Sequence, residues 1–384
     1  MAKQPVIYLD YAAATPVDPK VLRAMRPYWA DDFYNPSATY DAARDVRQAL
    51  AAARSGVAHW LGARSSEIIF TAGGTEANNL AIHGVMRQFP KGNIVISSIE
   101  HESVLVPSGA YDCRQVAVRP DGRLDLDDLR QKIDEDTVLV SVMYANNEIG
   151  TIQPIREVAK IIAAKRLERQ SRPLYFHTDA CQAANYLDLH VSRLGVDLMT
   201  INGGKIYGPK QSGALYVKAG VTLEPLIQGG GQEQGLRSGT ENVAAAVGLA
   251  AALELVQSGR RAEAARLQSL QRDFFKQLEA KLPRVVINGS QQWRLPNNVH
   301  VTLPGQDNER LLIQLDEAGV MAAAGSACSA SSETPSHVLR ALGLGDADAR
   351  ASLRFTMGRA TTAVQLGPAL STLVKLASEA MVTP

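Results

Sequence analysis

Short runs of β-branched and other apolar residues alternate with amphipathic stretches through the first two thirds of this chain of 384 residues. Six runs end in polar or glycine-rich turns: SEIIFT (66–71), GNIVISS (92–98), TVLVSVMY (137–144), PLYFHT (173–178), VDLMTI (196–201) and SGALYVK (212–218). Two amphipathic stretches are helix candidates: ATYDAARDVRQALAAARSGVAHWL (38–61) and IREVAKIIAAKRLERQ (155–170). Alternation of strands and helices predicts an α/β domain with a mainly parallel sheet.

The pattern changes after about residue 255. GRRAEAARLQSLQRDFFKQLEAKL (259–282) has the spacing of a long amphipathic helix, and mixed strands and helices follow it. We therefore predict a large domain over residues 17–250. A smaller α+β domain is expected to combine residues 1–16 with residues 251–384.

Composition narrows the class of protein. Forty Lys and Arg residues against 39 Asp and Glu residues give a formal charge of +1, which is not the basic footprint of a nucleic-acid binder. The longest apolar stretch, VAAAVGLAAALELV (243–256), is shorter than the ~20 residues of a membrane span. No signal-peptide pattern is seen. These features predict a soluble cytoplasmic protein that contacts neither membrane nor nucleic acid.

The cysteines are Cys113, Cys181 and Cys328. Their odd number and wide spacing fit neither a disulfide framework nor a zinc site, and we predict no metal. Cys113 and Cys181 have ordinary sequence surroundings. Cys328 lies within AAAGSACSASS (322–332), where the neighbouring residues are too small to pack a core.

Polar residues follow five of the predicted strands, at the edge where open α/β sheets bind ligands. In chain order they are Gly73-Gly74-Thr75, His101, Asn146-Asn147, Asp179 with Gln182, and Asn202-Gly203-Gly204-Lys205. Neither a G-x-G-x-x-G fingerprint nor a P-loop is present. Each group alone is more often structural, but together they suit one anionic, ring-bearing ligand.

Pyridoxal 5′-phosphate (PLP) matches these groups. A lysine can form a Schiff base with its aldehyde, and an aspartate can pair with its pyridinium nitrogen. A helix N-terminus can hold its phosphate. An imidazole can stack on its ring. Lys205, which directly follows two glycines at a strand end, is the candidate lysine.

Several longer motifs make the chain similar to a known family. In order they are YLDYAAATPVDP (8–19), NPSATY (35–40), IIFTAGGTEANNLAI (68–82), YANNEIG (144–150), HTDACQA (177–183), GGKIYGPKQSGALYVK (203–218), GGGQEQGLRSGTEN (229–242), GSACSASSETPSHVLRALG (325–343) and LRFTMGRATT (353–362). The sequence resembles the NifS/IscS-like cysteine desulfurases of the class V aminotransferase family. The resemblance implies a fold-type I PLP-dependent transferase, a homodimer with a mainly parallel seven-stranded sheet in its large domain.

The resemblance also assigns roles to residues. Those that would bind PLP are Gly74, Thr75, His101, Asn147, Asp179, Gln182, Asn202, Gly203, Gly204, Lys205 and Thr240. Lys205 would hold PLP as a Schiff base, Asp179 would meet the pyridine nitrogen, and His101 would stack on the ring. Thr240 would reach the phosphate of the neighbouring subunit. Arg354, helped by Asn35 and Asn147, would bind the substrate carboxylate.

Cys328 would be the sulfur acceptor, so the catalytic residues implied are Cys328, Lys205 and His101. The small residues around it predict a mobile arm over about residues 325–334, which carries the thiol from PLP to an acceptor. The implied reaction converts L-cysteine into alanine and a Cys328 persulfide. A scaffold or relay protein would then take the sulfur for iron–sulfur clusters or for tRNA or cofactor thiolation.

One motif departs from the family, where Ser-Gly-His usually precedes the lysine. Here Asn202-Gly203-Gly204 removes the hydroxyl and the imidazole that help to hold the phosphate, so PLP is expected to bind less tightly unless Asn202 compensates. A selenocysteine lyase remains an alternative, as does an aminotransferase, which would not need Cys328 in an arm. A sulfur-relay adaptor without PLP is a further alternative, which only Gly204 favours.

Overall fold

The computed structural model describes residues 6–169, 172–325 and 335–379. Its strands are β1 (Ile7–Tyr8), β2 (Ile68–Thr71), β3 (Asn93–Ser97), β4 (Asp112–Val116), β5 (Thr137–Ser141), β6 (Tyr175–Asp179), β7 (Leu198–Asn202), β8 (Gly213–Val217), β9 (Val286–Ile287), β10 (Asn298–Thr302), β11 (Val320–Met321) and β12 (Ser352–Thr356). Its α-helices are α1 (Pro19–Met25), α2 (Pro27–Ala30), α3 (Asp41–Leu61), α4 (Gly74–Met86), α5 (Glu102–Ser108), α6 (Leu126–Lys132), α7 (Ile155–Glu168), α8 (Val191–Leu194), α9 (Val243–Lys281), α10 (Asn308–Glu317), α11 (His337–Ala341), α12 (Asp346–Ala349) and α13 (Ala363–Glu379).

A seven-stranded sheet in the order β2-β8-β7-β6-β5-β3-β4 forms the centre of the described chain. The pairs from β7 to β4 are parallel, and β8 runs antiparallel to both of its neighbours. This confirms the predicted mainly parallel sheet. All residues of β3, β5 and β8 are buried, as expected for strands covered on both faces.

The edge strand β4 is absent from the strands predicted by sequence. Its sequence, DCRQV, is polar and partly exposed, so it carries neither an apolar run nor a clean alternation. Its place is set by parallel pairing with β3, in which Asn93 lies opposite Asp112. A strand at a sheet edge needs only one partner and little apolar surface, and its pattern is correspondingly weak.

A second layer of structure joins the two chain ends. Strands β9, β10 and β12 form an antiparallel sheet, and β1 pairs in parallel with β11. Side chains of α9, α10 and α13 cover this region, including Leu267, Phe274, Leu311 and Leu370. The N-terminal segment thus pairs with the C-terminal part of the chain, while the division at residue 250 stays a prediction.

Helix α9 is longer than the helix predicted from residue 259. Residues 243–281 form one helix, which begins where the Asn242 side chain accepts a hydrogen bond from Ala245 N at 3.0 Å. The Ala-rich first half has high helix propensity, so an interior Gly259, which costs about 1 kcal/mol, does not end it. Its first half packs with Val46 and Leu50 of α3, and the predicted domain boundary falls within it.

Helix α9 is also apolar enough to be a candidate membrane span by length and composition. Of its most apolar 18-residue window, 56% is buried inside the protein. That degree of burial, together with its contacts to both hydrophobic layers, is typical of a core helix.

Candidate active site

The carboxyl ends of the parallel strands open into a cleft. Predicted site residues lining it are Gly74, Thr75, His101, Asn147, Asp179, Gln182, Asn202, Lys205 and Arg354. Gly203, Gly204, Asn35 and Thr240 are described by the structure but do not line this wall. Cys328, with residues 326–334 of the predicted arm, lies outside the described residues.

The start of helix α4 forms one end of the cleft. Gly73, with φ of 136°, leads into the helix, and no side chain among the described residues caps it there. A Cβ on Gly74 would lie 2.8 Å from Cys181 Sγ, so glycine allows the helix to begin close against the end of β6. Backbone N–H groups at such a helix start favour a phosphate.

Asn202 lies beside the same turn. Its Oδ1 accepts a hydrogen bond from Gly204 N at 2.9 Å, and its Nδ2 is 3.4 Å from where a Gly74 Cβ would lie. The amide therefore presents a donor where the family usually has a serine hydroxyl. Glycine is needed at position 203 for a steric reason, because a Cβ there would lie 2.1 Å from Ser212 Oγ. A Cβ on Gly204 would meet no atom of the described residues closer than 3.4 Å.

Asp179 ends β6 with both carboxylate oxygens held. Asn78 Nδ2 donates to Oδ2 at 2.7 Å, and Cys181 N donates to Oδ1 at 2.9 Å. The carboxylate is buried and its orientation is determined by these two donors. A charge held in this way is suited to pair with a cationic ring nitrogen.

Lys205 follows β7 in a short 3₁₀ turn, Gly203–Lys205. Its Nζ donates to Ala13 O at 2.6 Å, and Asn185 Nδ2 donates to its backbone oxygen at 2.7 Å. Thr15 Oγ1 donates to Gly204 O at 3.1 Å. The turn is thus fixed by backbone contacts while the amine reaches the cleft.

The segment Ala12–Thr15 closes one side of the cleft. Gln182 Nε2 donates to Ala12 O at 3.0 Å, beside the bond from Lys205 to Ala13. Lys210 Nζ donates to Thr15 O at 2.7 Å. Residues near the N-terminus therefore contribute wall atoms that no local pattern in the sequence assigns to the site.

Arg354, on β12, brings a cation into the cleft from the C-terminal part of the chain. Only 1% of its side chain is exposed. Its Nη2 donates to Asp10 Oδ1 at 2.7 Å, and its Nη1 donates to Asn147 O at 2.9 Å. These contacts orient the guanidinium and offset part of the cost of burying it.

The chain enters and leaves residues 326–334 beside this arginine. Ala323 and Arg354 exchange backbone hydrogen bonds of 3.1 and 2.6 Å. On the other side, Ser336 Oγ donates to Glu148 Oε2 at 2.6 Å. Glu148 directly follows Asn147, so both flanks of the predicted arm are attached next to the cleft.

Glu100 is a buried acid under the end of β3. Met143 N donates to its Oε1 at 2.7 Å, and its Oε2 has no hydrogen-bond partner among the described residues. Burial raises the pKa of this carboxyl, the Met143 N–H lowers it and the negative charge of Asp179 raises it, and the combined result is a pKa of about 8. Glu100 is therefore mostly protonated at neutral pH.

Replacement of Glu100 by glutamine is expected to stabilise the protein as pH rises. Between pH 4.5 and about 8 the folded protein keeps the Glu100 proton while the unfolded chain loses it, so the wild type loses stability relative to the variant. The gain should reach a few kcal/mol, on the order of 1.4 kcal/mol per pH unit, and level off above pH 8. Unfolding midpoints measured across pH test this. Glu157→Gln, on the exposed face of α7, is the matched control, and parallel curves for Glu100→Gln and the wild type would contradict the burial effect.

Asn78, Ser103 and Asp10 belong to the site but are absent from the sequence-predicted set. Asn78 lies four residues after Gly74 on α4, so it shares that residue's helix face. An asparagine within the helix-forming stretch EANNLAI (76–82) was a usable signal in the sequence. Asp10 gave no signal beyond its place in an N-terminal motif.

The comparisons with known proteins agree with this geometry. The family model of the class V aminotransferases matches residues 7–366. The chain belongs to the class V aminotransferase family. The enzymes of this family are PLP-dependent. A relative named Cysteine desulfurase IscS, from Dictyoglomus turgidum, is 43% identical over 377 residues, which cover 96% of this chain and 94% of that protein.

Solved structures give the same result. A NifS-like protein superimposes with a TM-score of 0.90 at 31% identity, covering 97% of this chain and 100% of that one. A structure described as SspA in complex with cysteine has a TM-score of 0.80 at 35% identity, covering 91% and 98%. The predicted family and fold class are confirmed.

The groups in the cleft fit PLP. A lysine amine, an aspartate with both oxygens held, an imidazole and an amide line one cavity, and an uncapped helix start lies at its edge. This set offers a covalent anchor, a partner for a ring nitrogen and donors for a phosphate. These groups are present although Gly204 stands where the family usually has a histidine.

Proposed function

We propose that this chain is a PLP-dependent cysteine desulfurase that uses Lys205, Asp179 and Arg354 at one cofactor site. The supporting observation is the single cleft that unites this amine, this carboxylate and this guanidinium. The close relatives named as cysteine desulfurases support the same reaction. L-cysteine would be the substrate, with alanine and a Cys328 persulfide as products.

Cofactor binding would use groups already oriented by the protein. Lys205 Nζ would hold PLP as a Schiff base, and Asp179 would keep a proton on the ring nitrogen. Gly74 and Thr75 would bind the phosphate through the start of α4, with Asn202 Nδ2 as an added donor. When bound, PLP supplies an electron-withdrawing ring that stabilises negative charge at the substrate Cα.

Substrate binding would depend on Arg354. A guanidinium can bind a carboxylate through two parallel hydrogen bonds, which fixes orientation as well as charge. Asp10 and the Asn147 carbonyl hold the group in place before the substrate arrives. Asn35 and Asn147 would add polar contacts, while Gln182 would lie by the ring hydroxyl.

Proton transfer would use two groups of the cleft. Lys205 Nζ, once the substrate amine has taken its place on the cofactor, would take the substrate Cα proton. His101 would be the acid–base group that exchanges the thiol protons of the substrate and of Cys328.

Sulfur transfer would occur at Cys328. Its thiolate attacks the substrate Sγ, the Cβ–Sγ bond breaks and an S–S bond forms, so that cysteine and one thiol become alanine and one persulfide. Cys328 lies five positions after Ala323 in the chain, a reach of at most about 18 Å. Because Ala323 pairs with Arg354, that reach begins beside the substrate site.

A homodimer would complete the site by bringing Thr240 to the neighbouring phosphate. Trp29, Phe33 and Tyr40 are each more than half exposed and lie close together in sequence with Asn35. Exposed aromatic side chains of this kind favour a protein interface. We also propose that the enzyme is cytoplasmic and contacts neither membrane nor nucleic acid. Its sulfur would be delivered to a scaffold or relay protein.

The test is one assay on the purified protein. It is given PLP, L-cysteine and a reductant, and sulfide and alanine are measured together. Equal amounts of the two products are expected, with a visible absorption band from bound cofactor. Neither product, despite PLP, would contradict the proposal. Competition with L-selenocysteine separates a desulfurase from a selenocysteine lyase.

A further inference from the structure

Four side chains at the base of the cleft form one hydrogen-bonded series. Asn78 Nδ2 donates to Asp179 Oδ2 at 2.7 Å and to Ser103 Oγ at 2.8 Å. Ser103 Oγ is 2.8 Å from His101 Nδ1, and Ser103 N donates to the same nitrogen at 3.1 Å. The series connects the end of β6 to the start of α5 through helix α4.

The positions of the protons follow from the donors. An amide nitrogen donates only, and Asn78 uses its hydrogens on the Asp179 carboxylate and the Ser103 oxygen. A flipped amide would place two acceptors 2.7 Å apart, so this orientation is required. The Ser103 hydroxyl therefore has its own hydrogen left for His101 Nδ1.

His101 Nδ1 thus accepts from both the hydroxyl and the backbone N–H of Ser103. The hydrogen bond made at one ring nitrogen decides which nitrogen carries the proton. In the neutral ring the proton must be on Nε2, the nitrogen remote from Ser103. His101 then starts as a donor at Nε2.

Asn78 has no other evident use for its amide. It is completely buried, and its Oδ1 has no hydrogen-bond partner among the described residues. Leaving a buried acceptor unpaired is costly, so a purely structural position would favour an apolar side chain. The two donated bonds are what this side chain supplies.

We propose that Asn78 is a positioning residue that couples Asp179 to His101 through Ser103 and fixes His101 in the Nε2–H tautomer. Its catalytic consequence rests on the proposed function. The carboxylate meant for the cofactor ring and the imidazole meant for proton transfer are then oriented by one amide. His101 would donate a proton at Nε2 before it accepts one there.

The test is side-chain ¹⁵N NMR of histidine-labelled holoenzyme, with His101 assigned from a His101→Gln sample. The wild type should show an unprotonated Nδ1 and a protonated Nε2. In Asn78→Asp the new side chain cannot donate, the Ser103 hydroxyl turns to it, and the Nδ1 resonance should move. The kcat should fall about ten- to a hundredfold, the effect of a lost hydrogen bond to a charged group. The KM for cysteine should stay within about threefold, because Arg354 is untouched.

Asn79→Asp is the matched control, since Asn79 is the next residue of α4 and donates to Thr75 O instead. It should move neither the resonance nor kcat. If Asn78→Asp fails to fold or to bind PLP, Ser103→Ala should still shift Nδ1. A protonated Nδ1 in the wild type, or unchanged Nδ1 in these variants, would overturn the coupling. If the wild type shows the expected tautomer but produces no sulfide, only the proposed function is refuted.

Discussion

Replacement of Cys328 by serine is expected to abolish sulfide production while the visible spectrum of bound PLP stays unchanged. The hydroxyl has nearly the shape of the thiol but cannot form the S–S bond that the transfer requires. Loss of an essential nucleophile costs about a thousandfold or more in kcat. Sulfide release, alanine formation and absorption spectra are measured on the same preparation.

Cys113→Ser is the matched control. This thiol is half-buried on β4, away from the cleft, and burial raises its pKa to about 11, so it is a poor nucleophile. The control should keep wild-type activity. Full activity of Cys328→Ser would remove the sulfur-acceptor role, and loss in both variants would point to damage rather than chemistry.

Replacement of Lys205 by alanine has the second large effect. The variant should lose both the covalent anchor of PLP and the base for the Cα proton, with a fall in kcat of about a thousandfold or more. Borohydride reduction of the wild type should fix PLP on the peptide that contains Lys205, and mass spectrometry should find no such adduct in the variant. This second measurement does not depend on turnover.

Lys210→Ala provides the comparison. Lys210 follows the same turn and donates to Thr15 O, much as Lys205 donates to Ala13 O. It does not line the cleft, so the adduct should form normally and kcat should change by less than about tenfold, as for loss of one ordinary hydrogen bond. An adduct in Lys205→Ala on another lysine would show that the anchor is misassigned.

The sequence predicted those parts of the fold that local patterns encode. Buried strands such as TVLVS and helices such as α3 have strong periodicity, and both lie where the pattern put them. The polar strand ends were predictable because parallel strands end at one edge of a sheet. His101, Asp179 and Lys205 accordingly line one cleft.

Other features could not be predicted locally. Strand β4 has no apolar pattern, and its partner β3 decides its place. Helix α9 is continuous because its packing on both layers, added to the helix propensity of its Ala-rich first half, outweighs the cost of Gly259. The series from Asn78 to His101 depends on two helices meeting at the base of the cleft, which no spacing along the chain expresses.

By itself, the sequence determined the family, the mainly parallel sheet and the lysine and aspartate at its rim, because ordered motifs and strand periodicity are properties of neighbouring residues. Only the tertiary structure decided the rest of the wall. Arg354 and Asp10 are 344 positions apart yet form an ion pair of 2.7 Å in the cleft. Contacts of that kind arise when distant segments are packed together, and their geometry is set by the folded chain as a whole.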